Sequence, residues 1–179
     1  MLTLFRGEDP SRCATLNSCG VQAKVRWAVQ GFPARDWREL LGLPAWDLPR
    51  RLRRFLDAHV LQKQASPFVS FSAKRVVAER YAFHNYTREE GLLVTTTINI
   101  VESLAWDTYP RPGTGILTDS AGRRWIRVSG FRFGFEEVAQ PDRTEALRRQ
   151  GAADDEYLVV GDLLPSEFHR QHIAMRPTP

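Results

Sequence analysis

Gly151-Ala-Ala-Asp-Asp-Glu-Tyr-Leu-Val-Val-Gly-Asp-Leu-Leu-Pro165 sets a carboxylate, Glu156, on the first residue of an apolar run. Tyr157, Leu158, Val159 and Val160 have the branching and bulk that suit a pleated, buried surface. Gly161-Asp162 ends the run, and Leu163-Leu164-Pro165 reads as a turn lying against a sheet. Taken alone, a carboxylate at a strand start is ordinarily a solvent-facing residue. Two stretches far upstream change that reading.

The first lies at the N-terminus. Residues 2–5 form a short apolar strand that delivers Arg6-Gly7 at its end, followed by the acidic turn Glu8-Asp9-Pro10. An arginine there is often bland, but a glycine beside it lets a ligand come close to the backbone. The second is Ser66-Pro-Phe-Val-Ser70-Phe-Ser72, an extended segment whose last serine caps a helix over 73–83. That helix is expected to bury Val76, Val77 and Tyr81 and to carry an Arg75–Glu79 pair one turn apart. Ser70 shares a strand face with Ser72, and capping leaves its hydroxyl without an explanation.

Between these landmarks the periodicity changes. Over 21–64, Val21, Val25, Ala28, Val29 and Phe32 recur at three and four, as do Trp37, Leu40 and Leu41. Asp47 and Pro49 then open a third helix through Leu52, Phe55, Leu56 and Val60. Residues 92–101 are strongly β-prone, 117–128 read as a hairpin turning at Asp119-Ser-Ala-Gly122, and Phe131, Phe133 and Phe135 alternate as in a further strand. A polar loop, 139–155, with a helical turn at 144–149, leads into Glu156. The expected architecture is a single α+β domain over 1–179: a split pair of small β-sheets forming a cleft, with an N-terminal helical segment on one side.

Composition bounds the function classes. A chain of 179 residues with 42% hydrophobic content can bury one sizeable core. No apolar run approaches the roughly 20 residues of a membrane span, and the opening residues read as strand instead of signal peptide. A soluble domain is expected, free-standing or cut from a larger secreted polypeptide. Cys13 and Cys19 lie in a turn-like stretch where a small disulfide loop or two free thiols both fit; without C-x-x-C spacing they argue against a metal site. His169 and His172, three apart, could share a helical face but lack partners with zinc-ligand spacing. The net charge of +4 permits attraction to nucleic acid. All basic residues except Lys24, Lys63 and Lys74 are arginine, and the densest cluster, Arg50, Arg51, Arg53 and Arg54, reads as a solvated helix face.

An Arg-Gly after a first strand, a Ser-x-Ser strand feeding a helix, and a Glu starting a late strand occur here in a familiar order. The chain resembles the mono-ADP-ribosyltransferases of the Arg-Ser-Glu class, which includes the cholera and heat-labile enterotoxin catalytic chains. Leu4-Phe5-Arg6-Gly7, Phe68-Val-Ser70-Phe71-Ser72 and Asp154-Asp155-Glu156 with the run to Pro165 carry the resemblance, over about a fifth of the chain. It implies an ADP-ribosyltransferase-like split β-sandwich that uses NAD as co-substrate and no metal. Arg6 would anchor the NAD phosphates or adjacent ribose, with the bidentate capacity that lysine lacks. Gly7 would hold the nicotinamide amide, Ser70 would bond the ribose or support the glutamate, and Ser72 would fix the strand-to-helix corner. Glu156 would stabilise the oxocarbenium-like charge that develops as nicotinamide leaves.

Asp154 stands two residues earlier, where members of the class usually carry Glu or Gln that orients the acceptor or takes its proton. Phe71 replaces a commoner threonine, beside the nicotinamide. Phe83, Tyr81 and Tyr86 are candidates to stack on that ring. The acceptor is expected to be a macromolecule, a protein side chain or RNA or DNA, recognised by the loop 139–155. The resemblance further implies a bacterial toxin or effector with a cytoplasmic site of action, secreted or injected into a target cell, and a cognate immunity or antitoxin protein. Two other classes fit the residues: a nucleotide-binding module on the same fold without turnover, and a basic nucleic-acid-binding domain.

Overall fold

Branched and aromatic residues at alternating positions build an antiparallel sheet with apolar side chains on its inner face. The computed structural model describes residues 1–23, His59, 68–105, 114–128 and 153–175. Among them eight strands form one sheet: β1 (Leu2–Glu8), β2 (Phe68–Ser72), β3 (Glu90–Ile98), β4 (Ile100–Ala105), β5 (Thr114–Asp119), β6 (Arg124–Arg127), β7 (Glu156–Val160) and β8 (His169–Ala174). Their order across the sheet is β4-β5-β6-β7-β2-β1-β3-β8, and neighbours run antiparallel. Two α-helices, α1 (Cys13–Cys19) and α2 (Arg75–Ala82), and two short 3-10 helices, Pro10–Arg12 and Pro165–Glu167, are described. The protein is α+β.

The sheet is not equally joined throughout. β1 pairs with β3 over seven positions, from Leu2↔Ile98 to Glu8↔Leu92, and β2 pairs with β7 over five, from Phe68↔Val160 to Ser72↔Glu156. Between β1 and β2 a single register pair, Phe5↔Ser72, makes the connection. Among the described residues the sheet narrows to this seam, with β4-β5-β6-β7-β2 on one side and β1-β3-β8 on the other.

The core follows the alternation. Leu4, Val69, Phe71, Leu92, Val94, Trp125, Tyr157 and Val159 are buried together, with Leu16 of α1 and Leu163 packed among them. Trp125 donates its Nε1–H to Asp119 Oδ2 at 2.8 Å, and Asp119 Oδ1 accepts from the backbone of Ala121 and Arg123. This buried carboxylate closes the β5–β6 turn, with Gly122 at φ 78°, as the hairpin reading expects.

Several expectations are corrected. The first strand does not end at Phe5; Arg6, Gly7 and Glu8 continue it because they keep pairing with Val94, Leu93 and Leu92. The β-prone run 92–101 is two strands broken at Asn99. α2 buries Val77, Ala78 and Ala82, whereas Val76 and Tyr81 are exposed, so its apolar stripe lies one position away from the one expected. Small residues win because the helix lies directly on β1: a Cβ at Gly7 would sit 2.0 Å from the Ala78 carbonyl and 2.4 Å from the Ala82 nitrogen. Cys13 and Cys19 are free thiols on a helix, not in a turn. His169 and His172 lie on the edge strand β8, not on a helix. Of the helical segment read over 21–64 only 21–23 and His59 are described, and Val21 forms an antiparallel bridge with Leu163 in place of helix. The rest of that segment, the Phe131–Phe135 alternation and most of the loop 139–155 lie outside the described residues. No described helix is long and apolar enough to cross a membrane.

Candidate active site

Strand pairing decides which side chains meet at the seam. Ser72 stands directly opposite Glu156, and Ser70 opposite Leu158, so Ser70 and Glu156 are diagonal neighbours on one face of the β2–β7 pair. The Ser70 hydroxyl donates to Glu156 Oε1. Ser72 Oγ donates to the Asp154 carbonyl at 2.6 Å and accepts the Lys74 N–H at 2.9 Å, joining the start of α2 to the turn before β7. The helix begins only at Arg75, with Lys74 as its N-cap and no side-chain capping bond, so Ser72 clamps the strand-to-helix corner and, contrary to expectation, does not cap the helix.

Arg6 reaches the same place from β1. Its Nη1 donates to the Ser70 carbonyl at 2.8 Å, and its Nε donates to Glu8 Oε1 at 2.6 Å. Where the ladder between β1 and β2 has parted, the guanidinium takes a carbonyl that a neighbouring strand would otherwise satisfy. Glu8 is buried and also receives Arg12 Nη1 at 3.0 Å. Burial works to raise the Glu8 carboxyl, but the charges of Arg6 and Arg12 and their hydrogen bonds outweigh it and hold its pKa below the ordinary value. An ionised Glu8 thus fixes Arg6, while the Nη2 amine of Arg6 bonds no described residue.

Three separated segments therefore converge as expected: Arg6, Ser70 with Ser72, and Glu156. One candidate stands elsewhere, while Gly7 adjoins Arg6 on β1. Phe71, between the serines, points to the other face, is 2% exposed and meets Trp125 edge-on at 5.8 Å between ring centroids. Strand alternation that turns both hydroxyls toward the seam necessarily turns Phe71 into the core, so it is not a cleft residue. At Gly7, α2 fills the space a side chain would take, and the glycine serves this close approach. Of the stacking candidates, Phe83 is buried and stacked on Tyr86 at 6.3 Å, and Tyr81 lies beneath the Arg80 guanidinium at 5.2 Å.

Asp154 stands in the turn leading into β7. It is buried, and its Oδ2 receives Arg80 Nη2 of α2 at 2.9 Å. Burial lowers the Arg80 pKa, but the Asp154 charge, with a contribution from Tyr81, overrides this and raises it. Next to it, Asp155 takes a left-handed φ of 49° and its carboxylate meets Arg127 Nη2 at 3.4 Å.

His59 escaped the sequence reading. Its Nε2 lies 3.7 Å from the same Glu156 Oε1 that Ser70 bonds, and its ring, 6% exposed, meets Phe68 edge-on at 5.8 Å. The signal was present: His59 falls three after Leu56 and four after Phe55, a titratable group on an expected apolar helix face.

Among the described residues, no group of three or more His, Cys, Asp or Glu is arranged to hold a metal ion. What the seam offers is a cation on one strand, a hydroxyl-bonded carboxylate on another and an imidazole beside it. Such a set can bind an anionic group and stabilise positive charge a short distance away. No protein-family model matches the chain, and no curated protein matches it significantly.

Proposed function

We propose that the protein is an NAD-dependent mono-ADP-ribosyltransferase, with the narrowed sheet as an ADP-ribosyltransferase-like split β-sandwich. The observation that carries this reading is the convergence of Arg6, Ser70 and Glu156 from strands 64 and 86 residues apart, through the Arg6–Ser70 and Ser70–Glu156 hydrogen bonds. Arg6 binds the NAD pyrophosphate or adjacent ribose through guanidinium N–H groups that Glu8 and Ser70 do not use. Glu156 bonds the nicotinamide-ribose 2′-hydroxyl. The bond between ribose C1′ and the pyridinium nitrogen breaks, its electron pair leaves with neutral nicotinamide, and Glu156 stabilises the positive charge left on the ribose. A nucleophile on the acceptor, or water, then bonds to C1′ and releases a proton. Ser70 serves by holding the carboxylate, since its hydroxyl is already donated to Oε1.

The wider reading is a bacterial toxin or effector acting on a cytoplasmic macromolecule, a protein side chain ahead of RNA or DNA. The test is nicotinamide release from NAD by purified protein, abolished in Glu156→Ala. Labelled NAD in a cell lysate, followed by protease or nuclease digestion, identifies the acceptor class. A purified, folded protein that leaves NAD intact sinks the proposal.

A further inference from the structure

Among the described residues the sheet has two open edges, β4 and β8. β4 shifts register against β5 between Ile100 and Glu102 and again between Leu104 and Ala105, irregularities that spoil an edge for further pairing. β8 pairs with β3 over consecutive positions from Thr95↔His169 to Glu90↔Ala174, with no shift, proline or lysine. The Met175 N–H donates to the Glu89 carbonyl at 2.7 Å, which fixes the parity of this ladder. Bonded and non-bonded positions alternate in an antiparallel pair, so His169, Gln171 and Ile173 spend their backbone groups on β3. Arg170, His172 and Ala174 turn theirs outward, where no described residue meets them, and all three are exposed.

The side chains give this edge a sign. β8 reads His-Arg-Gln-His-Ile-Ala and carries no carboxylate; Glu90 of β3 stands only at its far end, opposite Ala174. Arg170 and His172, two apart and opposite Val94 and Leu92, share one face of the strand, and the Arg170 guanidinium lies over the Phe168 ring at 5.6 Å. We infer that β8 is a docking edge for an acidic, extended segment of a partner protein, which adds a strand to the sheet and sets carboxylates at alternate positions over Arg170 and His172. Backbone bonds to Arg170, His172 and Ala174 supply the affinity, and cross-strand charge pairs select the partner. A second copy of this chain fits poorly, because it would bring an equally basic strip against the first. Three strands, β3, β1 and β2, separate this edge from Glu156 on β7, so the inference stands apart from the transferase reading.

The probe is a labelled, end-blocked peptide of alternating glutamate and threonine, with a lysine-threonine peptide of the same length as control. Binding to the full chain is followed by fluorescence anisotropy and by amide hydrogen exchange. The glutamate peptide should bind, more weakly as salt rises, and slow exchange at Arg170, His172 and Ala174, while the lysine peptide does neither. Arg170→Glu should lower its affinity about fivefold, since one attraction is lost and one repulsion added. His172→Pro removes an outward N–H and no bond to β3, so it should abolish binding with a melting temperature near that of the wild type. Ala174→Pro removes an outward N–H without changing a polar side chain, and should weaken binding in the same way. The inference is overturned if the glutamate peptide does not bind, if the lysine peptide binds equally well, or if folded proline variants bind like the wild type. It is also overturned if sedimentation shows wild-type protein pairing with itself in a form that His172→Pro abolishes, or if a single-stranded oligonucleotide takes the edge regardless of His172→Pro.

Discussion

Ser70 bonds Glu156 as a diagonal cross-strand neighbour, while Ser72, directly opposite Glu156, turns to the backbone of Asp154 and Lys74. Two serines of one short strand therefore have separable jobs. Ser70→Ala should lower nicotinamide release about tenfold without a large loss of stability, because the hydroxyl is only partly buried and steadies a carboxylate. Ser72→Ala should chiefly lower the melting temperature, reflecting about 1–3 kcal/mol for a buried acceptor and donor left unpaired. Parallel turnover assays and melting curves check the split. Equal effects of both substitutions on both readouts would contradict it.

His59→Phe preserves a ring against Phe68 and removes the nitrogen beside Glu156. It is expected to fold with a melting temperature near that of the wild type and to lose about tenfold in NAD turnover. Full activity in a folded His59→Phe protein would assign the imidazole to packing alone.

Glu8 has a depressed carboxyl pKa, so its stabilisation is present above the unfolded pKa and is lost as pH falls through the lower folded value. At pH 7, Glu8→Gln should lose about 2 kcal/mol of stability and loosen Arg6, raising KM for NAD. In urea titrations the gap between the two proteins should close as the pH drops below the ordinary carboxylate range. A gap that stays constant from pH 7 to 3 would show that charge is not what holds Glu8.

Gly7→Ala places a methyl group on backbone atoms of α2 at 2.0 and 2.4 Å. The helix must move, at about 1–3 kcal/mol, and it carries Arg80 with it. Both the urea midpoint and NAD turnover should fall. An unchanged midpoint would mean that helix and strand are not in this close register.

Phe71→Leu should lower stability by about 1–2 kcal/mol through lost contact with Trp125, while KM for NAD stays at the wild-type value. A selective rise in KM would return Phe71 to the cleft.

What could be read from residues alone follows from the range of the physics involved. The β7 start at Glu156, the β2 strand, the β5–β6 turn and the Arg75–Glu79 pair are local: each depends on neighbours within a few positions, and the last is observed at 2.7 Å. The Ser-x-Ser alternation is also legible, and its corollary is that Phe71 faces inward, as it does. Long-range choices were hidden. Nothing in Val76-Val77-Ala78 announces that a glycine on β1 will draw the small residues inward and leave Val76 outside. Nor does Asp154 reveal in sequence that Arg80, 74 positions away, will claim it. His59 had a periodicity signal, and only the third dimension supplies its carboxylate.

The single rung between β1 and β2 has a mechanical meaning. A sheet bends most easily where fewest backbone bonds cross, so flexing between the β4-β5-β6-β7-β2 and β1-β3-β8 portions concentrates at Phe5↔Ser72. Arg6 and Ser70 lie on opposite banks of that compliant line, with Glu156 behind Ser70. A molecule gripping both banks would stiffen the whole sheet, and amides of Arg6 and Gly7 would report its arrival by slower hydrogen exchange.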